Sequence, residues 1–106
     1  MKHLAPLAFG VSALVAFAMP AGAAEMTGKG VFDHYCAQCH GSSDGTGTLQ
    51  LRRTRGNDRA LLTERSDLTP DYIEYIVRHG LRSMPPFVPS DLTATQLAAL
   101  EKFLAK

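Results

Sequence analysis

The chain has 106 residues, of which 45% are apolar and 20% are charged, and its formal net charge is +1. This length suits a single domain, and the composition is that of an ordinary globular protein rather than a disordered one. The nearly balanced charge argues against nucleic acid as a partner, because nucleic-acid-binding domains usually carry a basic excess.

The first residues have the pattern of a secretory signal peptide. Lys2 provides a basic start, residues 4–19 form an uncharged and largely apolar run, and residues 21–23 fit the A-x-A cleavage pattern. The alternative is a membrane anchor, but roughly 16 residues fall short of the ~20 that span a bilayer. We therefore expect cleavage after Ala23 or Ala24. Residues 1–23 are assigned to the signal peptide and residues 24–106 to one domain without a stable membrane span.

The remaining domain is small for a core made of side chains alone. About 82 residues give only marginal stability unless a disulfide, a metal or a large cofactor contributes. The chain has two cysteines, so disulfides can add little. We expect a buried cofactor to complete the core.

The first predicted helix covers residues 27–38, where Val31, Phe32 and Tyr35 form an apolar face. Its end carries the sequence Cys36-Ala37-Gln38-Cys39-His40, a C-x-x-C-H motif typical of covalent c-type haem attachment. Residues three apart share one face of a helical turn, so both cysteines can reach the vinyl groups on one side of a porphyrin. His40 follows directly and is predicted to bind the iron.

Two other interpretations of this motif remain open. A thioredoxin-like redox pair is also C-x-x-C, but it requires a βαβ frame, and no β-rich run is visible. A structural zinc site requires a fourth ligand besides the two cysteines and His40. His34 or His79 would have to supply it, and the paired spacing of a zinc finger is absent.

The middle of the chain is the least informative. Residues 41–48 are rich in Gly, Ser and Thr and predict a loop, which we expect to fold beneath the haem on the His40 side. Residues 49–67 carry five arginines, and we expect a loop with one helical turn near residues 59–62.

Two helices are predicted in the second half of the chain. The first begins after Thr69 as N-cap with Pro70 at its first position, and it ends at Gly80. The second begins with a capping box made by Thr93 and Gln96. Apolar residues at helical spacing are expected to face the core, namely Ile73, Ile76 and Val77 in the first helix and Leu97, Leu100, Phe103 and Leu104 in the second.

Met84 is predicted to be the second ligand of the iron. It precedes Pro85 and Pro86, which fix the backbone after it, and a stiff loop can hold a thioether against a metal. Haem iron held by His and Met is an electron-transfer arrangement. The alternative is that Met84 only fills the core, as most methionines do.

With these features, nearly all of the mature chain resembles a class I cytochrome c. In that family a glycine eight residues and an aromatic residue four residues before the first haem cysteine meet the C-terminal helix. The resemblance implies that Gly28 and Phe32 pack against Leu100 and Phe103. This chain departs from the family at one position after the haem histidine. The family often has a proline there, whose carbonyl accepts the N–H of the haem histidine, and this chain has Thr48. The resemblance implies that the Thr48 carbonyl takes that role.

Residues 75–87 are similar to the small cytochrome subunits of flavocytochromes such as p-cresol methylhydroxylase. In these proteins a flavoprotein oxidises a phenol and passes the electrons to the cytochrome. The resemblance implies redox partner proteins, among them a flavoprotein dehydrogenase subunit, although a free carrier is the other possibility. Arg78 and Arg82 are either contacts for partner carboxylates or solvated surface residues.

The sequence therefore predicts an all-α class I cytochrome c fold, with three to five short helices around one covalent haem c. The predicted function is periplasmic transfer of single electrons, with no catalytic residue in this chain. If Met84 does not bind iron, the alternative is a haem-based sensor or ligand-binding protein with an open iron site. An enzyme such as a peroxidase would further need a distal acid or base, for which His34 and His79 are the candidates.

Overall fold

A computed structural model describes Gly10 and residues 25–106, so the predicted signal peptide and its cleavage site lie outside the described residues apart from Gly10. Residues 25–106 form five α-helices and two 3-10 turns and contain no β-strand. The helices are α1 (Gly28–Tyr35), α2 (Ala37–His40), α3 (Thr46–Arg55), α4 (Pro70–His79) and α5 (Ala94–Leu104), and the turns are Asn57–Arg59 and Leu62–Glu64. The all-α prediction is confirmed. No helix in this part of the chain is long and apolar enough to cross a membrane.

The single helix predicted over residues 27–38 is two helices. The side chain of Thr27 caps α1 by accepting a hydrogen bond from the Gly30 N–H, and α1 ends at Tyr35. Cys36 separates α1 from α2. Its carbonyl oxygen accepts hydrogen bonds from the N–H of Cys39 at 3.1 Å and from the N–H of His40 at 2.9 Å. The two cysteines and the histidine therefore lie in a short turn of their own.

The prediction for residues 46–55 was wrong, because α3 occupies them and only residues 41–45 form the preceding loop. Gly45 gives α3 no side-chain cap, and the first turn holds no acidic residue, so the usual signals of a helix start are missing. Thr48 is completely buried in this helix. Tertiary packing here overrides the weak helix propensity of Gly and Thr. The helical turn expected near residues 59–62 is replaced by the two 3-10 turns.

Helix α4 begins and ends as predicted. The Thr69 side chain accepts a hydrogen bond from the helix backbone, and Gly80 ends the helix with a φ of 73°. Ile73 and Val77 are buried in the core, while Ile76 is only half-buried.

Helix α5 has the predicted capping box, since Gln96 N–H donates to the Thr93 hydroxyl and Thr93 N–H donates to the Gln96 side chain. The core to which it contributes unites α1, α4, α5 and the segments before the last two helices. Its buried members are Val31, Phe32, Leu68, Ile73, Val77, Leu92, Leu97, Leu100 and Leu104.

Helices α1 and α5 cross at Gly28, as the family resemblance implied. A Cβ on Gly28 would overlap the carbonyl oxygen of Ala99 and lie 2.7 Å from the Cβ of Phe103. One turn further on, the rings of Phe32 and Phe103 pack with centroids 5.7 Å apart. Leu100 is buried in the same core, and Ala99 is a contact that sequence reasoning missed. The crossing fixes the position of the turn that follows α1.

Candidate haem-binding site

In the C-x-x-C-H motif Cys36 is half-buried and Cys39 is exposed, and the two cysteines form no disulfide bond. Burial, together with the neighbouring Cys39, raises the pKa of the Cys36 thiol to about 11. A catalytic C-x-x-C pair instead needs a lowered thiol pKa, because the thiolate is the nucleophile. Both this pKa and the helical frame around the motif disagree with a thioredoxin-like redox pair.

The imidazole of His40 lies against the start of α3, at Gly47. A Cβ on Gly47 would lie 2.5 Å from Cε1 of His40 and 2.8 Å from each ring nitrogen. Real Cβ atoms do not approach a ring this closely, so any larger residue at position 47 would force the imidazole to shift. Burial lowers the pKa of His40, which favours the neutral form of the ring. The neutral imidazole is the form that binds metals.

Two polar atoms around this contact have no hydrogen-bond partner among the described residues, Nδ1 of His40 and the hydroxyl oxygen of Thr48, and both are buried. The bond implied from His40 to the Thr48 carbonyl is therefore not formed. Residues 46–48 belong to α3 rather than to a loop, and a helix directs its carbonyl groups along its own axis. His40 is half-buried, and its Nδ1 has no hydrogen-bond partner among the described residues, so protein hydrogen bonds do not occupy that nitrogen. A lowered pKa and this lack of a partner fit an imidazole that binds a metal.

Met84 lies at the end of a closed turn. Leu81 N–H donates to the Met84 carbonyl oxygen at 3.1 Å, and Met84 N–H donates to the Leu81 carbonyl oxygen at 3.0 Å. Arg82 in this turn has a φ of 53°, a left-handed conformation that is costly for a residue with a Cβ. Gly80 adjoins the turn so closely that a Cβ there would lie 2.6 Å from the Met84 oxygen. The turn holds the half-buried Met84 in a fixed place ahead of two prolines.

Arg78 ties the segment after Met84 to α4. Its Nη1 donates hydrogen bonds to the carbonyl oxygens of Phe87, at 3.0 Å, and of Leu92, at 2.8 Å. The N–H of Phe87 in turn donates to the Val77 carbonyl oxygen at 2.8 Å. The expectation that Arg78 is solvated or faces a partner was wrong, because its guanidinium is half-buried and bonded within the molecule. No local sequence pattern marks these bonds, which join residues 9 and 14 positions apart.

The other two histidines of the described chain do not join this site. His34 packs edge-on against Tyr35, and His79 stacks on Tyr75 and hydrogen-bonds its carbonyl oxygen through Nδ1 at 2.8 Å. Within residues 25–106, no three His, Cys, Asp or Glu side chains come together as metal ligands would. The geometry therefore does not support the zinc interpretation.

A cavity of about 250 Å³ lies between α3 and α4. Leu51 lines it from α3, while Tyr72 and Leu81 line it from the other side. Leu51 is one helical turn after Gly47, which touches His40, and Leu81 is hydrogen-bonded to Met84. Residues next to the two predicted ligands therefore line the same cavity, although neither His40 nor Met84 is itself part of its lining. The two cysteines and His40 share a single turn.

Comparisons with known proteins bear on the family and the fold of this chain. The model of the family described as cytochrome c oxidase, cbb3-type, subunit III matches residues 23–104. Among solved structures, a chain in a crystal structure of p-cresol methylhydroxylase with substrate bound is 30% identical, with a TM-score of 0.58, over 76% of this chain and 90% of that one. A second structure of that enzyme, at 2.5 Å resolution, gives the same identity and TM-score over 92% of its chain. A search of curated proteins gives no significant match.

Proposed function

Because the chain belongs to the class I c-type cytochromes, in the family described as cytochrome c oxidase, cbb3-type, subunit III, and binds haem c covalently, we propose that it carries single electrons in the periplasm. Bound haem supplies a one-electron couple between ferric and ferrous iron. The chain's own residues attach the group, supply the axial ligands and exclude water.

We assign attachment to the turn between α1 and α3. Cys36 and Cys39 would each add a thiol to one vinyl group and form two thioether bonds. This assignment is supported by the turn that Cys36 closes with two hydrogen bonds, one of them from His40. His40 would be one axial ligand, which is supported by its partial burial, its lowered pKa and the close approach that Gly47 allows.

We assign the second axial position to Met84. The observation that carries this assignment is the turn closed by reciprocal hydrogen bonds between Leu81 and Met84. A ligand held before binding loses little entropy when the metal bond forms. A thioether favours ferrous iron and raises the reduction potential, as suits an electron acceptor.

The mass of the intact protein purified from the periplasm tests export and attachment together. We expect the polypeptide to lack residues 1–23 or 1–24 and to carry the mass of one haem after extraction with acidified organic solvent. Replacing both Cys36 and Cys39 by Ala should abolish this added mass. Haem that is extracted from the parent protein would contradict covalent attachment at the two cysteines. A chain that retains residues 1–23 would contradict export with cleavage.

The proposed electron donor is a flavoprotein dehydrogenase, one of whose substrates would be a phenol. This is supported by the similarity to a chain of p-cresol methylhydroxylase that is covered over 90% of its length. Around the Met84 turn, the side chains of Leu81 and Val88 are 41% and 48% exposed, and Arg82 is exposed beside them. This apolar, proline-stiffened surface is suited to docking close to the haem edge.

Arg82→Glu tests this surface against Arg53→Glu, which makes the same charge change on the exposed side of α3. If the surface binds an acidic region of a flavoprotein encoded by a neighbouring gene, Arg82→Glu should weaken association at low salt more than Arg53→Glu does. The absorption spectrum should stay unchanged. Equal effects of the two variants would remove this surface from the proposal.

A further inference from the structure

The hydroxyl group of Thr48 is buried without a hydrogen-bond partner. Within residues 25–106, only two buried side-chain nitrogen or oxygen atoms lack a partner, the hydroxyl oxygen of Thr48 and Nδ1 of His40. Thr48 is 0% exposed, so solvent does not reach its hydroxyl group. A buried polar group without a partner costs free energy, and most such groups in folded proteins are paired. A bond between these two groups would satisfy both of them.

The first turn of α3 packs closely on the turn that carries His40. A Cβ on Gly45 would lie 2.5 Å from the carbonyl oxygen of Cys39, and a Cβ on Gly47 would lie 2.8 Å from Nδ1 of His40. Thr48 follows Gly47 directly, and the Cα atoms of consecutive residues are about 3.8 Å apart. Thr48 therefore belongs to the segment that packs against the imidazole.

The two unpartnered groups are complementary as donor and acceptor. A neutral imidazole that binds a metal through Nε2 carries its proton on Nδ1, which is then a donor. The hydroxyl oxygen of Thr48 can accept this hydrogen bond. Its own proton can go to a backbone carbonyl of the preceding turn, as it does for many threonines in helices. The carbonyl of Thr48 points along the axis of α3, so the side chain is the acceptor that this residue offers.

We propose that the Thr48 hydroxyl accepts a hydrogen bond from the Nδ1–H of His40 when Nε2 of His40 binds the haem iron. The two atoms are not bonded to each other in this structure. The imidazole turns about its Cβ–Cγ bond to form the hydrogen bond, and this torsion has a broad energy minimum. Thr48 is thus a positioning residue that acts through His40. The proposal rests on His40 as an iron ligand and is independent of Met84 and of the electron donor.

The hydrogen bond also affects the reduction potential. An acceptor for the Nδ1–H makes the imidazole a more basic ligand. A more basic ligand stabilises ferric iron more than ferrous iron, because the ferric ion carries one more positive charge. The Thr48 hydroxyl therefore lowers the reduction potential, and its removal should raise it. This direction is opposite to the fall expected when the Met84 thioether is removed.

The test compares Thr48→Val with Thr48→Ser in the purified holoprotein. Valine has a similar shape but no hydroxyl, whereas serine keeps the hydroxyl and lacks the methyl group. We expect Thr48→Val to raise the ferrous-to-ferric ratio at a fixed ambient potential roughly threefold. This corresponds to about 28 mV, since a tenfold change is about 59 mV for one electron. Thr48→Ser should stay close to the parent ratio. A role in packing alone predicts the reverse, because serine leaves a void and valine does not.

Thr54→Val is the matched control. Thr54 is an exposed threonine of the same helix, and its hydroxyl donates to the Gln50 carbonyl oxygen at 2.9 Å. The substitution makes the same chemical change away from His40, so the parent ratio should be kept. An equal rise in Thr54→Val and Thr48→Val would overturn the proposal.

A measurement on the parent protein tests the bond even if Thr48→Val does not fold. In the reduced holoprotein with ¹⁵N-labelled histidine, the Nδ1–H of His40 should exchange slowly with solvent and show a nuclear Overhauser effect to the Thr48 methyl group. A parent-like ratio in Thr48→Val, or a slowly exchanging Nδ1–H without this effect, would overturn the proposal. An unaltered absorption spectrum of His40→Ala would instead overturn ligation by His40, and this proposal with it.

Discussion

Nη1 of Arg78 donates a hydrogen bond to the carbonyl oxygen of Phe87, 3.0 Å away. The same nitrogen donates to the carbonyl oxygen of Leu92, so one guanidinium joins the end of α4, the segment after Met84 and the segment before α5. Arg78 is therefore a positioning residue for the Met84 turn.

Replacing Arg78 by Gln should loosen this segment while the haem stays attached. The carbonyls of Phe87 and Leu92 lose a donor, which should lower the free energy of unfolding by about 1–3 kcal/mol. If Met84 binds the iron as proposed, the looser segment should also reduce the weak long-wavelength ferric absorption band that marks Met ligation. Arg82→Gln is the control, because it removes the same charge from an exposed side chain in the turn. Equal loss of the band in both variants would contradict the positioning role.

The helix crossing is tested by Gly28→Ala beside Gly30→Ala. A Cβ at position 28 would overlap the Ala99 carbonyl, and overpacking of this kind costs roughly 1–3 kcal/mol. A Cβ at position 30 would meet nothing closer than the Thr27 hydroxyl at 3.3 Å, and alanine favours helix by about 1 kcal/mol over glycine. Denaturant titration should show a clear loss of stability only for Gly28→Ala. Equal stability of the two variants would mean that the helices do not cross at Gly28.

The contact between Gly47 and His40 predicts the effect of Gly47→Ala. The new methyl group would lie within 2.8 Å of both nitrogens of the ring and displace it from its position. We expect the haem to remain bound through the cysteines but to show the altered absorption spectrum of a weakened axial ligand. Thr46→Ala, at an exposed neighbouring position, should keep the parent spectrum. A parent-like spectrum for Gly47→Ala would rule out this placement of the imidazole.

The pair formed by Arg65 and Asp67 makes a prediction about acid stability. Hydrogen bonds from Arg65 lower the pKa of Asp67 to about 2, below the ~3.9 of an unfolded chain. A carboxyl group whose pKa is depressed in the folded state stabilises the fold at every pH above its pKa in the unfolded chain. This contribution is lost as pH falls from about 4 toward 2. Asp67→Asn should therefore destabilise the protein at pH 6 more than at pH 2. Asp58→Asn is the control, because Asp58 is exposed and its pair with Arg59 is longer, at 3.8 Å. A destabilisation by Asp67→Asn that does not change with pH would contradict the pairing.

Local signals explain which helices were predictable. Helices α4 and α5 begin at side-chain caps, and the caps made by Thr69 and Thr93 are visible in the sequence. Helix α3 has no such cap, and what marks it in the structure is the burial of Thr48, which depends on the rest of the fold. The break at Cys36 was missed for a similar reason, because the apolar pattern continues across it.

The candidate site also contains residues that could be predicted from local sequence and residues that could not. The motif from Cys36 to His40 and the proline-flanked Met84 are contiguous patterns, so both could be proposed as site residues from the sequence alone. The internal role of Arg78 and the contact between Gly47 and His40 depend on residues brought together by folding. A list of arginines in the sequence does not show that Arg65 is buried against Asp67 while Arg55 is without such a partner.

Ligation of the haem iron by His40 and Met84 is tested most directly by a redox titration of the purified protein, followed by its absorption spectrum, alongside Met84→Ala. We expect a reversible one-electron transition in the parent protein and the long-wavelength ferric band of Met ligation. In Met84→Ala the band should disappear and the potential should fall, while the haem remains covalently bound. A Met84→Ala protein that keeps the band and the potential of the parent would contradict ligation by Met84 and the electron-carrier function built on it.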